Sequence, residues 1–280
     1  MLLVTWNTQW CCGLDKVVSP RRIVEGARAL GDFDVLCLQE IAVNYPALAG
    51  GPGHDQPALL RELLPGFQFF YGPAVDEFTA AGRQQFGNLI ATRLPVKQVR
   101  HHPLPWPADE GVRSMPRMCT VVTVADPRLG PVRVMTTHLE FFSKPQRMAQ
   151  ARALHALHAE AVGQAKAPPA PSSDGSPFQS KAHTGEAVLC GDFNLVATDP
   201  EYGLLTQAAG RSTLHDAWAA LHGAAPQPPT FLVHDRTYGP VPIACDFVFV
   251  SEGLRGRVKR TAVDGATQVS DHQPVLVELG

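Results

Sequence analysis

Short apolar runs that lead into a polar residue recur along this chain, and they constrain its fold more than any other feature. The runs and the residues that follow them are 2–6 before Asn7, 35–39 before Glu40, 134–137 before His138 and 187–191 before Asp192. Apolar runs of this length predict strands that are buried on both faces. The pattern therefore predicts polar side chains gathered at the ends of buried strands.

Helices are predicted between these strands. Ser19-Pro20 is typical of a helix start, with a capping hydroxyl followed by proline at the first helical position. Ser143 caps a longer helix that is predicted from about residue 144 to 162, and a short helix is predicted near residues 213–221. Because strands dominate and helices are interspersed, we predict an α/β (α+β) fold in which two packed, mixed β-sheets are flanked by helices.

One segment has a composition unlike the rest. Residues 164–186 are dominated by Pro, Ser and Ala and contain few large apolar side chains. Such a segment cannot bury enough surface to order itself, so we predict a flexible surface loop. The polar residues on either side of it belong to one chemical pattern, which predicts a single domain over residues 1–280 and no boundary at the loop.

The charge balance limits the classes of ligand. The chain has 24 Lys and Arg residues against 26 Asp and Glu residues, a formal net charge of −2. Because neutralisation of phosphates by basic residues supplies most non-specific affinity for nucleic acid, this balance weighs against tight, non-specific binding of that kind. A local basic patch is still compatible with it.

The cysteines and the first residues bear on location. The six cysteines include no C-x-x-C pair, which favours a reduced, cytoplasmic protein over a zinc ribbon or a thioredoxin-like site. Residues 1–6 run straight into a strand pattern with no sign of a secretion signal, and no stretch is long and apolar enough to predict a membrane span. We expect a monomer.

The polar residues at the strand ends indicate a type of chemistry. Asp271 and His272 add to the set, since they stand directly before the apolar run that ends the chain. Carboxylate and amide oxygens are the ligands that Mg²⁺ prefers, and one or two protein carboxylates are enough to hold it. A divalent cation beside a positioned water is the basis of metal-assisted phosphoryl hydrolysis.

Six short motifs carry a resemblance to a known family. They are Thr5-Trp6-Asn7, Leu38-Gln39-Glu40, Thr137-His138-Leu139, Gly191-Asp192-Phe193-Asn194, Cys245-Asp246-Phe247 and Ser270-Asp271-His272-Gln273-Pro274. In this order the motifs resemble those of the endonuclease/exonuclease/phosphatase superfamily, which has the deoxyribonuclease-I-like fold. The resemblance implies a four-layer α/β-sandwich.

The resemblance also implies a cation site. Glu40 would be the principal ligand of Mg²⁺, with Asn7 beside it, and Mn²⁺ would be able to substitute. Asp271 would complete the ligand set or its hydrogen-bond network.

Catalytic and substrate-binding roles follow from the same resemblance. Asp192 would orient or deprotonate the attacking water, and Asn194 would hold that water or a phosphate oxygen. His272 would stabilise charge on the scissile phosphate, with its imidazole oriented by Asp246, and His138 would be a second phosphate-side histidine. On the substrate side, the resemblance implies a phosphate-binding Arg117 and, as a weaker candidate, Asn88.

Departures from the family pattern leave the substrate open. Gln9 stands where apurinic endonuclease relatives often carry aspartate, and residues 41–44 lack the basic residue that some nucleases place after the glutamate. The first hypothesis is a nuclease-like phosphodiesterase that uses in-line attack of an activated water. The alternative is a hydrolase of a small-molecule or lipid phosphodiester. A third hypothesis is a non-catalytic relative that only binds phosphate.

Some of these residues also have plainer interpretations. Arg117 is equally consistent with a phosphate contact and a surface salt bridge, and His138 with a core histidine. His155 and His158 are predicted to be solvated helix residues, with a metal pair as the alternative. Trp10, Trp106 and Phe141-Phe142 would stack on a base, hold a lipid head group or simply pack.

Overall fold

The first of two β-sheets contains both the first and the last strand of the chain. The computed structural model describes residues 1–206 and 212–280. The strands of this sheet are β1 (Leu2–Asn7), β2 (Val35–Val43), β3 (Gln68–Thr79), β4 (Gly82–Thr92), β11 (Val258–Val263) and β12 (Val275–Leu279). Their spatial order is β11-β12-β1-β2-β4-β3, in which β1 and β2 are parallel and the other four neighbouring pairs just named are antiparallel.

The second sheet is built on the same plan from the middle of the chain. Its strands are β5 (Val96–Pro103), β6 (Met118–Asp126), β7 (Gly130–His138), β8 (Ala187–Asp192), β9 (Leu214–Asp216) and β10 (Asp246–Ser251). They lie in the order β5-β6-β7-β8-β10-β9, and the central pair β7 and β8 is parallel. Each sheet is therefore mixed, with one parallel pair near its centre.

Six helices connect or flank the strands in the described part of the chain. They are α1 (Pro20–Leu30), α2 (Gln56–Leu63), α3 (Lys144–Lys166), α4 (Pro200–Thr206), α5 (Ala217–His222) and α6 (Glu252–Arg255). Helix α1 links the parallel strands β1 and β2, and α3 links β7 and β8. These links are crossover connections, which parallel neighbours require.

Three apolar clusters hold the layers together. Side chains from the facing sides of the two sheets, such as Leu3, Val122 and Val188, form the central core. Side chains of α1, such as Ile23, pack on the outer face of the first sheet, and side chains of α3, such as Leu154, pack on the outer face of the second. The result is the predicted four-layer sandwich of helices, sheet, sheet and helices.

The predicted helix starts are correct, but one helix is longer than expected. The hydroxyls of Ser19 and Ser143 accept hydrogen bonds from backbone N–H groups of the first turns of α1 and α3. Helix α3 continues to Lys166, so the first residues of the segment 164–186 are helical. Ala, Gln and Lys at its end are good helix formers, which explains the extension. Residues 167–186, all of them described, contain neither helix nor strand.

The helix predicted near residues 213–221 is partly wrong. Residues Leu214–Asp216 form β9 at the edge of the second sheet, and α5 begins only at Ala217. Asp216 ends the strand and caps the helix, because its carboxylate accepts hydrogen bonds from the N–H groups of Trp218 and Ala219. A strand this short shows no period in the sequence.

All six cysteines are free and buried. Within residues 1–206 and 212–280, no helix is both long enough and apolar enough to cross a membrane.

Candidate active site

Three polar residues end three central strands at the same edge of the sandwich. Asn7 is the last residue of β1, His138 of β7 and Asp192 of β8. In the second sheet His138 and Asp192 are direct partners in the parallel register. All three side chains are buried, with Asn7 and Asp192 only 1% exposed. The carboxyl ends of the parallel pairs therefore define the location of the site.

Glu40 reaches this edge in a different way from the other residues. Strand β2 does not end at Glu40, as the sequence suggested, but continues to Val43. The register between β2 and β4 shifts between Leu38 and Ile41, and Glu40 has a φ of 60°. A local irregularity of this kind re-aims one side chain without ending the strand. It turns Glu40 toward Asn7.

Antiparallel neighbours bring the remaining residues to the same edge. Asp246 is the first residue of β10 and pairs with Asp192 in the register of β10 and β8. Asp271 and His272 lie just before β12, which is antiparallel to β1. The amino end of an antiparallel strand lies beside the carboxyl end of its neighbour, so distant segments meet here.

The Asn7 side chain joins the principal groups. Its amide nitrogen donates to Glu40 Oε1 at 3.2 Å and to Asp192 Oδ2 at 2.9 Å. The same nitrogen lies 3.5 Å from His272 Nε2. We refer to Asn7, Glu40, Asp192 and His272, together with His138, as the cleft cluster.

His272 is held in place on several sides. Its Nδ1 lies 2.8 Å from Oδ2 of the fully buried Asp246, and its backbone carbonyl accepts a hydrogen bond from Trp6 Nε1 at 2.9 Å. Phe231 stacks on the imidazole at 4.3 Å between ring centroids. Burial alone would lower the pKa of His272, but Asp246 and Asp192 outweigh it and raise the pKa well above its ordinary value. This imidazole is therefore cationic at neutral pH.

His138 is in the opposite protonation state. Its Nε2 lies 3.4 Å from Asp192 Oδ2, and its Nδ1 lies 3.9 Å from Glu40 Oε1. Burial, reinforced by the positive charge of Arg117, lowers the pKa of His138 to about 3. The site thus contains one charged and one neutral histidine, and the neutral one can donate or accept a hydrogen bond.

Glu40 and Asp271 provide a fit for a divalent cation. Burial, and next the charge of Asp271, raise the pKa of Glu40 to about 7. Burial also raises the pKa of Asp271, whose Oδ2 accepts a hydrogen bond from Gln9 Nε2 at 3.0 Å. Two carboxylates that repel each other in a largely buried place are a suitable oxygen-donor set for a hard cation.

A second group of donors lies deeper in the site. Atoms of Asp192, Cys245, Asp246 and His272 all lie within 4.8 Å of one another. Burial, together with the charge of Asp246, raises the pKa of the Cys245 thiol well above its usual range, so its sulfur stays protonated. Since Asp246 already contacts His272 Nδ1, we interpret this group as a hydrogen-bonded network.

Arg117 and Asn88 lie beside the cleft cluster. Arg117 is 5% exposed and donates from Nε to Glu140 Oε2 at 3.1 Å, so its salt bridge is buried and not on the surface. Its Nη1 has no hydrogen-bond partner among residues 1–206 and 212–280. Asn88 donates from its amide to the backbone carbonyl of Met118 at 2.9 Å and lines a small cavity with Arg117 and His138.

Asn194 lies at the cleft but is largely committed to the backbone. Its amide donates to the carbonyl of Leu139 at 2.9 Å, and its N–H donates to Asp192 Oδ1 at 2.9 Å. Its φ of 51° is a conformation that asparagine tolerates better than most residues. Asn194 thereby fixes the Asp192 carboxylate.

The sequence interpretation missed two residues of the site. Glu140 is fully buried and accepts a hydrogen bond from Arg117. It lies two residues after His138, and side chains two residues apart along an extended chain point to the same side, which was a signal for it. Phe231 covers His272 from a proline-rich segment, where no periodic pattern marked it.

A comparison with protein families settles the classification. The model of the Endonuclease/Exonuclease/phosphatase family matches residues 4–272. The chain belongs to this family. All six motifs fall inside or at the edge of the matched range, and the chain is a phosphoesterase of the endonuclease/exonuclease/phosphatase family.

Solved structures of similar fold include several family members. A Beutenbergia cavernae endonuclease/exonuclease/phosphatase is 26% identical with a TM-score of 0.68, over 100% of this chain and 72% of that chain. A mannosyl-6-phosphatase of Bacteroides thetaiotaomicron is 19% identical with a TM-score of 0.68, over 100% and 99%. D. rerio TDP2 in complex with a single-strand DNA product is 18% identical with a TM-score of 0.64, over 100% and 98%.

These structures show that the fold is shared across the family. A comparison with curated protein sequences finds no match.

Proposed function

We propose that the protein is a divalent-cation-dependent phosphodiesterase that cleaves its substrate by in-line attack of an activated water. The observation that carries the proposal is the Asn7 amide, which bonds to both Glu40 and Asp192 and lies 3.5 Å from His272 Nε2. The proposed cation ligand Glu40 and the proposed base Asp192 are thus joined through one amide, and the proposed phosphate-side cation His272 has its Nε2 3.7 Å from Asp192 Oδ2.

Glu40, Asn7 and Asp271 would hold the cation, which we propose is Mg²⁺, with Mn²⁺ as a substitute. When bound, the cation would oppose the charge of the phosphoryl oxygens and help to position the attacking water. The raised pKa of Glu40, about 7, reflects an uncompensated carboxylate that such a cation neutralises.

Asp192 is the base that orients the water and takes up its proton. Its Oδ2 accepts from Asn7 and its Oδ1 accepts from the N–H of Asn194, so the carboxylate is fixed at both oxygens. Because the carboxylate is already held in one orientation, no conformational entropy is lost in orienting it during the reaction.

His272 stabilises the charge that develops on the phosphate. As an imidazolium it presents Nε2 to the cleft while Asp246 holds Nδ1 at 2.8 Å. His138 is neutral and contributes a hydrogen bond on the phosphate side, and Arg117 offers the free Nη1 to a phosphate oxygen. Asn88 supports the substrate side of the same cavity.

The first test is hydrolysis of bis-p-nitrophenyl phosphate by the purified full chain. We expect release of p-nitrophenol with Mg²⁺ or Mn²⁺, loss of turnover with EDTA and recovery when the cation is restored. His272→Ala is expected to be inactive while its circular dichroism spectrum is unchanged. Unaltered turnover in EDTA would contradict the role of the cation. Absence of turnover under all conditions would support the non-catalytic, phosphate-binding alternative.

A further inference from the structure

Aromatic side chains form a continuous series that begins at the catalytic imidazole. Phe231 stacks on His272, and Tyr238 lies next to Phe231 with ring centroids 6.2 Å apart. Phe141 lies 6.0 Å from Tyr238, and Phe142 lies 4.8 Å from Phe141. Phe231, Tyr238, Phe141 and Phe142, which we call the second-sheet wall, all line the cleft.

The outer end of the second-sheet wall is exposed. Tyr238 is 59% exposed and Phe142 is 48% exposed, although both are large aromatic residues. The guanidinium of Arg113 lies 5.7 Å from the centre of the Phe142 ring. Aromatic faces left open beside a phosphate site indicate a ligand that covers them.

Residues in and beside the first sheet contribute further aromatic surface to the same cleft. Trp10 follows β1 and donates from Nε1 to the carbonyl of Ala49 at 2.8 Å, while Tyr45 and Phe86 lie 6.0 Å apart. All three line the cleft, which has a volume of about 330 Å³. This volume is at the lower end of the range for small-molecule sites.

The charges along the cleft argue against a polynucleotide. Among the described residues that line it, Arg113 and Arg117 are the only Lys or Arg side chains. Arg117 is paired with Glu140, and Glu40, Asp192 and Asp271 add negative charge. A polymer that contacts several phosphates needs a series of cations along its path, whereas one phosphate needs only the cleft cluster and its cation.

We infer that the cleft binds a small phosphoester that carries one flat aromatic group, with its phosphate at the cleft cluster and its ring against the second-sheet wall. This inference rests on the proposed function and names the substrate class of that site. A ring stacked on aromatic side chains adds binding energy without requiring base-specific hydrogen bonds.

Binding of phosphonates separates this inference from catalysis, because their C–P bond is not hydrolysed. With Mg²⁺ present, we expect 1-naphthylmethylphosphonate to bind about 10- to 100-fold more tightly than methylphosphonate in isothermal titration calorimetry. Phe142→Ala and Tyr238→Ala each remove an exposed ring, and each is expected to reduce this ratio severalfold. Phe178→Ala is the matched control, since Phe178 is 89% exposed and does not line the cleft. It should leave the ratio unchanged.

Hydrolysis of methyl p-nitrophenyl phosphate reports on the proposed function separately. Turnover of this substrate with equal affinity for the two phosphonates would overturn the aromatic site and leave the phosphodiesterase intact. Absence of turnover with a retained naphthyl preference would overturn the phosphodiesterase and support the aromatic site. Tighter binding of a short single-stranded oligodeoxynucleotide than of the naphthyl compound, with a steep salt dependence, would overturn the inference in favour of a polymer.

Discussion

His272 in the cleft cluster and His158 beneath helix α3 are two buried histidines whose pKa values are shifted in opposite directions. In the cleft cluster, His272 lies against Asp246 and Asp192, and its pKa is well above the ordinary value. Beneath helix α3, His158 is fully buried and its Nδ1 lies 2.8 Å from Nη2 of Arg133. Burial, with the charge of Arg133, lowers the pKa of His158 to about 4. The sign of the neighbouring charge thus decides which buried imidazole is protonated.

The two clusters also differ in what they require. We define the α3 cluster as Arg133, His158 and Met135, whose sulfur lies 3.7 Å from Arg133 Nη1. Its imidazole is neutral, so the Arg133 guanidinium is the charged group of this cluster, and it contacts His158 Nδ1 and the Met135 sulfur. The cleft cluster contains two carboxylates, and burial together with the charge of Asp271 raises the pKa of one of them, Glu40, to about 7. In the proposed function a divalent cation balances their charge. The first arrangement is suited to packing, and the second to chemistry on an anion.

The largest expected difference between the clusters is in catalysis. Glu40→Gln and Asp192→Asn are each expected to lower kcat by about 10³-fold or more. The first removes the proposed carboxylate ligand of the cation, and the second removes the proposed base. His158→Gln should retain the wild-type rate. Initial rates with bis-p-nitrophenyl phosphate, together with circular dichroism to verify folding, make the comparison. Wild-type turnover in either cleft variant would show that its role is assigned wrongly.

Acid stability should reveal the neutral histidine of the α3 cluster. The folded-state pKa of His158 is about 4, below its unfolded value near 6.5, so the unfolded chain takes up the extra proton as the pH falls through this window. From pH 7 to pH 4 this linkage should cost about 3 kcal/mol of unfolding free energy. His158→Gln keeps an acceptor for Arg133 and does not titrate.

Urea denaturation of both proteins at the two pH values measures the effect. The loss of stability on acidification should be smaller in His158→Gln than in the wild type, and His54→Gln, at an exposed position, should resemble the wild type. Equal losses in all three proteins would mean that His158 is not buried in its neutral form.

Orientation of the charged imidazole is expected to have a smaller effect on catalysis. Asp246→Asn should lower kcat by about 10- to 100-fold, the range seen when a carboxylate that orients a histidine is removed. The exposed Asp174→Asn is the matched control and should leave kcat unchanged. If Asp246→Asn kept full activity, the contact between Asp246 and His272 would be structural only.

The smallest effect concerns stability with the cation. Mg²⁺ at ten times its dissociation constant should add about 1.4 kcal/mol to the free energy of unfolding, since it binds the folded chain alone. In thermal denaturation this corresponds to a rise in Tm of a few degrees. The rise should disappear in Glu40→Gln and persist in His158→Gln. Equal rises in the two variants would place the cation outside the cleft cluster.

Much of the site could be predicted because strand ends leave a clear sequence signal. Asn7, His138 and Asp192 each end an apolar run, and each is the last residue of a central strand. Asp271 and His272 stand directly before another apolar run, and the family motifs then added Asp246. The position of Glu40 was predicted less well. It lies within β2 and not at its end, and a register shift in the strand turns its side chain toward the site.

His158 shows where a periodic pattern misleads. The helix was predicted correctly, and His158 was expected on its solvated face. Instead α3 lies across the second sheet, where Arg133 of β7 meets the imidazole. A polar residue can face the interior when a hydrogen-bond partner is present there. The periodicity of a helix sequence does not show a partner that belongs to a strand.

By itself, the sequence determined the alternation of buried strands with capped helices, and it determined which polar residues follow those strands, because burial and capping act over a few residues. Only the tertiary structure decided which of these polar side chains form hydrogen bonds or ion pairs with one another. The contacts of His272 with Asp246, of Arg117 with Glu140 and of His158 with Arg133 join separate segments. The directions in which the pKa values of His272 and His158 are shifted follow from their contacts and their burial. Electrostatic interactions depend on distance in space and on burial, not on separation along the chain.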